Sequence, residues 1–299
     1  MDALSKILNL LNLDVDIYHN AKICGNWQIN EKQLGQTCFH VVTSDRCRLN
    51  IPPKLTTDLV YGDLVIFPKE IKHSMQPTTR ETAKPKIFSF NSESKLNSTG
   101  LLCADIRFAH RGSESILNIL PEYIIFRYSE IKGWMQPILE LIIYENMKQN
   151  SLGQKAKLNK LAELIFLNAL GDYISIPQKK GHFMNVLSDS SLYPIVSAIV
   201  DKPEFNWDLD SMAACGHISR SSLIQKFRKI GGTTPMQFLT WWRLQKSWTL
   251  LNSGMNVDQA CYSIGYQSLS AFNKAFKDFF RQTPGSVKNE RKIISSHDR

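Results

Sequence analysis

One short phrase is written twice in this chain. SRSSLIQKF begins at Ser219 and SLSAFNKAF begins at Ser268. Each opens on serine, carries leucine or phenylalanine at its fifth place (Leu223, Phe272) and closes on phenylalanine (Phe227, Phe276). Each is followed at the same remove by Thr-Pro, as Thr234-Pro235 and Thr283-Pro284. In the second copy Phe272, Ala275, Phe276 and Phe279 fall at i, i+3, i+4 and i+7, the stripe of an amphipathic helix. Ahead of it Val257, Ala260, Cys261 and Ile264 make a shorter stripe, which Gly265 closes as a helix C-cap would. The first copy repeats the plan with Leu209, Met212 and Ala213, a turn at Gly216-His217-Ile218, then Leu223, Phe227 and Ile230. The copies are offset by 48 residues up to the turn (217 to 265) and by 49 after it (219 to 268), with Gln267 the extra turn residue. Such a pattern predicts two helix-turn-helix units joined by one long helix, PMQFLTWWRLQKSWTLLNSG.

Apolar stripes alone describe any helical bundle, and these phenylalanines and leucines are core. The faces they leave exposed carry the information. The first second-helix shows Arg220, Ser221, Ile224, Gln225 and Arg228, and the second shows Leu269, Ser270, Asn273, Lys274 and Lys277. Charge agrees with a polyanionic partner such as nucleic acid. The net charge is +9, and residues 200–299 hold 14 Lys and Arg against 8 Asp and Glu, leaving 22 against 19 in the other 199 residues.

The 299 residues suggest two domains. Residues 15–110 read as strands, with apolar runs CFHVVT, LVIFP, KIFSF and LLCADIRF set between turn-rich stretches and SFNSESKLNSTG as an exposed loop. From Ser113 the pattern becomes helical: a short helix in SESILNILP, then longer ones near 134–149 and 155–174. QKKGHFMNVLSDSS reads as a linker, which places the boundary near 178–190. The start, MDALSKILNLLNLDVD, reads as a short amphipathic helix and not as a secretory signal, and no window is apolar enough to span a membrane. A cytoplasmic protein with no membrane partner is expected. Six cysteines include no CxxC pair, which predicts free thiols.

The stretch from Ala260 through Gly265, Tyr266, Gln267, Ser268, Ser270, Phe272, Ala275, Phe276, Lys277 and Phe280 to Thr283-Pro284-Gly285 resembles the DNA-binding domain of the AraC/XylS family of bacterial transcription regulators. The resemblance covers residues 207–285. It implies two recognition helices in successive major-groove segments of promoter DNA, held about one DNA turn (~34 Å) apart by the helix near 235–251. Base contacts would come from Ser221, Ile224 and Gln225, and from Leu269, Ser270, Asn273 and Lys274. Gln and Asn suit adenine edges, Lys suits guanine, and Ile or Leu suits a thymine methyl. Arg220, Arg228, Arg243 and Lys277 would clamp phosphates. One departure stands out: the turn position that Gly265 fills is His217 in the first motif, with Gly216 one place early.

In the front half Gly62 to His73 fits G-x5-P-x4-H and resembles the second motif of cupin barrels. With Gly25-Asn26-Trp27, Cys103 and Leu120-Pro121, it is similar to the cupin-type sensor domain of one branch of AraC-like regulators. Some regulators of that branch respond to oxidants through cysteines in these regions, which makes Cys24 and Cys103 candidate redox residues. The expected fold is α+β: an N-terminal cupin-like β-barrel with trailing helices (1–185), then an all-α domain with two helix-turn-helix motifs (190–299). The expected function is a DNA-binding transcriptional regulator responding to a small-molecule or oxidant signal, with RNA polymerase as a partner and homodimers as an option. A metal-dependent cupin enzyme is the alternative, but only His40 stands where the first cupin motif would supply several ligands. No cofactor or metal is therefore expected. A regulator with a methyl-accepting cysteine would need a Cys-His-Arg context that is not written here.

Overall fold

The computed structural model describes residues 3–9, 13–79, 82–88, 98–108, 117, 120–148, 152–175 and 185–287. Its residues fall into two compact units, one of 13–107 with 120–170, the other of 1–12 with 108–119 and 171–299. The chain opens on helix α1 (Ala3–Asn9), which belongs to the second unit.

The first unit is a barrel of two antiparallel sheets followed by two helices. Its strands are β1 (Leu13–Cys24), β2 (Ile29–Asn30), β3 (Thr37–Ser44), β4 (Arg46–Ile51), β5 (Leu55–Val60), β6 (Leu64–Phe67), β7 (Ser74–Gln76), β8 (Lys86–Phe88), β9 (Ser98–Phe108) and β10 (Ile124–Phe126). One sheet has the order β10-β6-β3-β9-β1-β8 and the other β2-β7-β4-β5. The central strand β3 is buried at every position but its last, as a strand covered on both faces must be. Trp27, Cys47, Leu49, Phe67, Met75 and Cys103 meet in the core between the sheets. The buried carboxylate of Asp63 accepts from Arg127 Nη1 (2.8 Å) and from the Tyr128 amide (2.9 Å), so the Gly62-Asp63 turn is riveted to the start of the first trailing helix.

Those helices are α2 (Tyr128–Met147) and α3 (Gln154–Ser175). The first begins six residues before its expected start and runs on through Pro137. Ser98–Gly100, expected in a loop, extend β9, while residues 91–97 and most of the expected short helix at 113–121 lie outside the described residues.

The second unit contains α4 (Asn185–Ser188), α5 (Tyr193–Asp201), α6 (Leu209–Cys215), α7 (Arg220–Gly231), α8 (Pro235–Asn252), α9 (Val257–Ser263) and α10 (Leu269–Phe280). Residues 176–184 of the expected linker lie outside the described residues. The helix just after them, α4, already packs on α7, with Asn185 Nδ2 donating to the Ile230 carbonyl at 3.2 Å. Helix α1 packs on α5, burying Ala3 and Ile7 and pairing Lys6 with Asp201 at 2.5 Å.

Candidate nucleic-acid interface

The repeated phrase folds as a repeated piece of backbone. Ser219 and Ser268 are the N-caps of α7 and α10, their hydroxyls accepting from the amides of Ser222 (3.2 Å) and Ala271 (3.1 Å). Leu223 and Phe227 in one helix, Phe272 and Phe276 in the other, are fully buried. Phe276 stacks on Trp248 of α8, centroids 5.6 Å apart. Both Thr-Pro pairs start helices: Thr234 is the N-cap of α8, and residues 284–287 are helical after Thr283.

The two turns have one hydrogen-bond pattern. The amides of His217 and Ile218 donate to Ala214 (3.1 Å) and Ala213 (3.0 Å), and those of Gly265 and Tyr266 donate to Tyr262 (3.1 Å) and Cys261 (3.2 Å). His217 therefore takes the left-handed conformation, φ +51°, that Gly265 takes at +89°. Gly216 is a glycine for a different reason. A Cβ there would lie 2.5 Å from Ile195 Cδ1, so the buried Ile195 of α5 would have to shift to admit one. The helix ends match as well, Gly232 (φ +62°) after α7 corresponding to Arg281 (φ +58°) after α10.

With the cores pinned, the remaining faces are fixed. Ser221, Ile224, Gln225 and Arg228 line one open groove on α7, joined by Lys229. Asn273, Lys274 and Lys277 line a second on α10, together with Val257, Thr283, Pro284 and Gly285. Ser270 is exposed, whereas Leu269 packs half-buried against the core of its own motif. Arg220 is exposed and pairs loosely with the exposed Asp210 at 3.5 Å, a contact too screened to immobilise it. Lys229 was not expected, although it follows Arg228 and lies four residues beyond Gln225 on the same face. In the sequence Thr283-Pro284-Gly285 stands only as the close of the repeated phrase and of the family motif.

Arg243 departs from expectation. Its Nε donates to the Pro203 carbonyl and its Nη2 to that of Phe205, both at 2.8 Å, and the half-buried guanidinium lies over the Tyr266 ring. Burial draws its pKa below the usual arginine value. Two of its donors are thereby committed to backbone carbonyls inside the protein.

In the barrel, Cys24 and Cys103 are both buried free thiols. Burial pushes the Cys103 thiol far up, against a hydrogen bond from Tyr18 that opposes it. Cys24 stands six residues beyond Tyr18 on β1, roughly 20 Å along the strand at about 3.3 Å per residue. What sequence reading missed is a meeting of histidines: His40 Nε2 and His73 Nε2 face each other at 3.2 Å, both rings buried, with Phe67 stacked on His73. His73 Nδ1 is 2.8 Å from the Ile71 carbonyl, so it carries that ring's proton. His73 Nε2 then accepts from His40, leaving His40 Nδ1 buried without a partner. Burial, with His73 alongside, holds His40 well below the ordinary histidine pKa. Among the described residues no group of three or more His, Cys, Asp or Glu side chains is arranged to hold a metal ion.

A cupin-like barrel followed by two matched helix-turn-helix motifs with polar, basic outer faces defines a sequence-specific DNA-binding transcriptional regulator. Residues 2–175 match the cupin family and residues 212–290 the helix-turn-helix domain family, and the chain belongs to the AraC/XylS family of regulators with an N-terminal cupin domain. It is 26% identical to an HTH-type transcriptional regulator of Haemophilus influenzae, over 96% of this chain and 98% of that one. It is equally similar (26%) to the RCS-specific transcriptional activator RclR of Escherichia coli, over 96% and 97%, and to the regulator MtrA of Neisseria gonorrhoeae, over 97% and 99%.

Proposed function

We propose that α7 and α10 read base edges in two successive major-groove segments of one promoter site. Ser221, Ile224 and Gln225 make the contacts in the first segment, and Ser270, Asn273 and Lys274 in the second, Leu269 adding an apolar edge. Arg220, Arg228 and Lys277 hold phosphates on either side. The observation that carries this reading is that the two faces are presented by the same caps and turns while differing in their outward residues. The test is a footprint of the full chain on duplexes it selects from a random pool. Two protected blocks one helical turn apart are expected; a single block, or no sequence preference, overturns the reading.

The barrel is the receiving unit for a small-molecule or oxidant signal, and α2 and α3, which expose Leu141, Tyr144 and Leu164, pair two copies of the chain. At the promoter the partner is RNA polymerase, and the protein acts in the cytoplasm. No helix among the described residues is long and apolar enough to cross a membrane.

A further inference from the structure

We infer that Arg243 is a positioning residue that fixes the two helix-turn-helix motifs relative to each other, so that both recognition helices can engage one DNA face. The inference rests on the two-segment reading above. Helix α8 joins the motifs as a rod of 18 residues, about 27 Å long. A rod by itself sets a separation and leaves each motif free to swivel at its end. Arg243 closes that freedom near the rod's midpoint. On one side it donates to the carbonyls of Pro203 and Phe205, the segment that runs into Asp208, the N-cap of α6 and so the entrance to the first motif. On the other its guanidinium carbon lies 5.9 Å from the centroid of Tyr266, which sits in the turn of the second motif.

The approach is close. A Cβ on Gly265 would come within 2.6 Å of Arg243 Nη2 and 2.9 Å of the Glu204 backbone. Three pieces of chain therefore converge on one guanidinium: the connecting rod, the entrance to the first motif and the turn of the second. Next to it Trp242 Nε1 donates to the Val200 carbonyl at 3.2 Å, so the same turn of α8 also holds the end of α5. A planar fork with several donors can satisfy two carbonyls while lying against a ring. A lysine ammonium is a point charge with no such plane. Arg228 and Lys277, by contrast, are exposed and stay free for an anion.

The experiment uses the full chain and a duplex enriched from a random pool by the unsubstituted protein, alongside derivatives with either half-site scrambled and with one base pair added or removed between halves. Arg243→Lys keeps the charge and loses the fork; Arg243→Met loses both. Both are expected to lose roughly tenfold or more on the intact site, the size of a charge-assisted hydrogen-bond pair. Both should bind scrambled-half duplexes as the unsubstituted protein does and should discriminate less between spacings. Retained half-site binding also certifies that the variants fold. The inference is overturned if Arg243→Lys binds the intact site normally, if Arg243→Met weakens intact and half sites alike with a salt slope lower by about one phosphate, or if neither changes anything. Failure of the two-segment reading shows separately, in the unsubstituted protein, as an enriched site with one half only.

Discussion

At the scale of single residues, the two motifs invite comparison because each is the other's control. His217 and Gly265 occupy the same left-handed turn position, and Arg281 and Gly232 the same left-handed position after the helix. A side chain there costs about 1 kcal/mol relative to glycine. His217→Gly and Arg281→Gly are therefore each expected to raise unfolding free energy by up to about 1 kcal/mol, read in urea melts. Gly265→Ala should destabilise by more than that, since its Cβ would also run into Glu204 and Arg243. Equal and negligible effects at all three positions would mean the turns relax freely. The cysteines give a second residue-scale test. With Cys24 and Cys103 buried and only Cys215 half-exposed, native protein at pH 8 should be alkylated fast at Cys215 and slowly at the other two. Fast labelling of Cys24 or Cys103, together with loss of an oxidant response in the Cys24→Ser, Cys103→Ser double variant, would instead establish a thiol switch.

At the scale of elements, the outward faces of α7 and α10 separate affinity from specificity. Gln225→Ala and Lys274→Ala remove the proposed base-edge partners while leaving the buried stripes intact. Each is expected to cost about 1–3 kcal/mol on the preferred site and to relax selectivity at one position. Arg228→Ala should weaken all duplexes alike and lower the salt slope by about one. If Gln225→Ala behaves like Arg228→Ala in a competition series, α7 lies along the backbone and not in the groove. These elements were legible in the sequence because their signals are local: a serine at each opening, an apolar residue every three or four places, a Thr-Pro pair at the same remove. The fate of Arg243 was not legible, because its partners lie 40 and 38 residues away and are backbone carbonyls, which no side-chain pattern announces.

At the scale of the whole molecule the same contrast divides the two units. The helical unit repeats itself and could be read from short-range periodicity. The barrel brings together positions far apart in the chain, so His40 and His73, 33 residues apart, were linked only through the resemblance to the two cupin motifs, and no local pattern announced that their rings would meet. That non-local core also holds the buried titrating groups whose shifts are largest, and this predicts how stability depends on pH. Native His40 resists protonation, while an unfolded histidine binds a proton below about pH 6.5. The unfolded state then holds more protons, so stability falls on acidification, by at most about 1.4 kcal/mol per pH unit for one such group. His19, also depressed by burial, acts in the same direction. On the alkaline side burial pushes Cys47 up to about 12, and Cys38 and Cys103 higher still. Unfolded thiols ionise near 8.5 while the native ones keep their protons, so the unfolded state is favoured as pH rises above that value. Thermal melts of the full chain at pH 5, 7 and 9.5 should therefore show a maximum near neutrality, with His40→Gln flattening the acid limb alone. A flat profile across that range would mean that water reaches these groups in the native barrel, and the assignment of a closed, dry core between the sheets would fail with it.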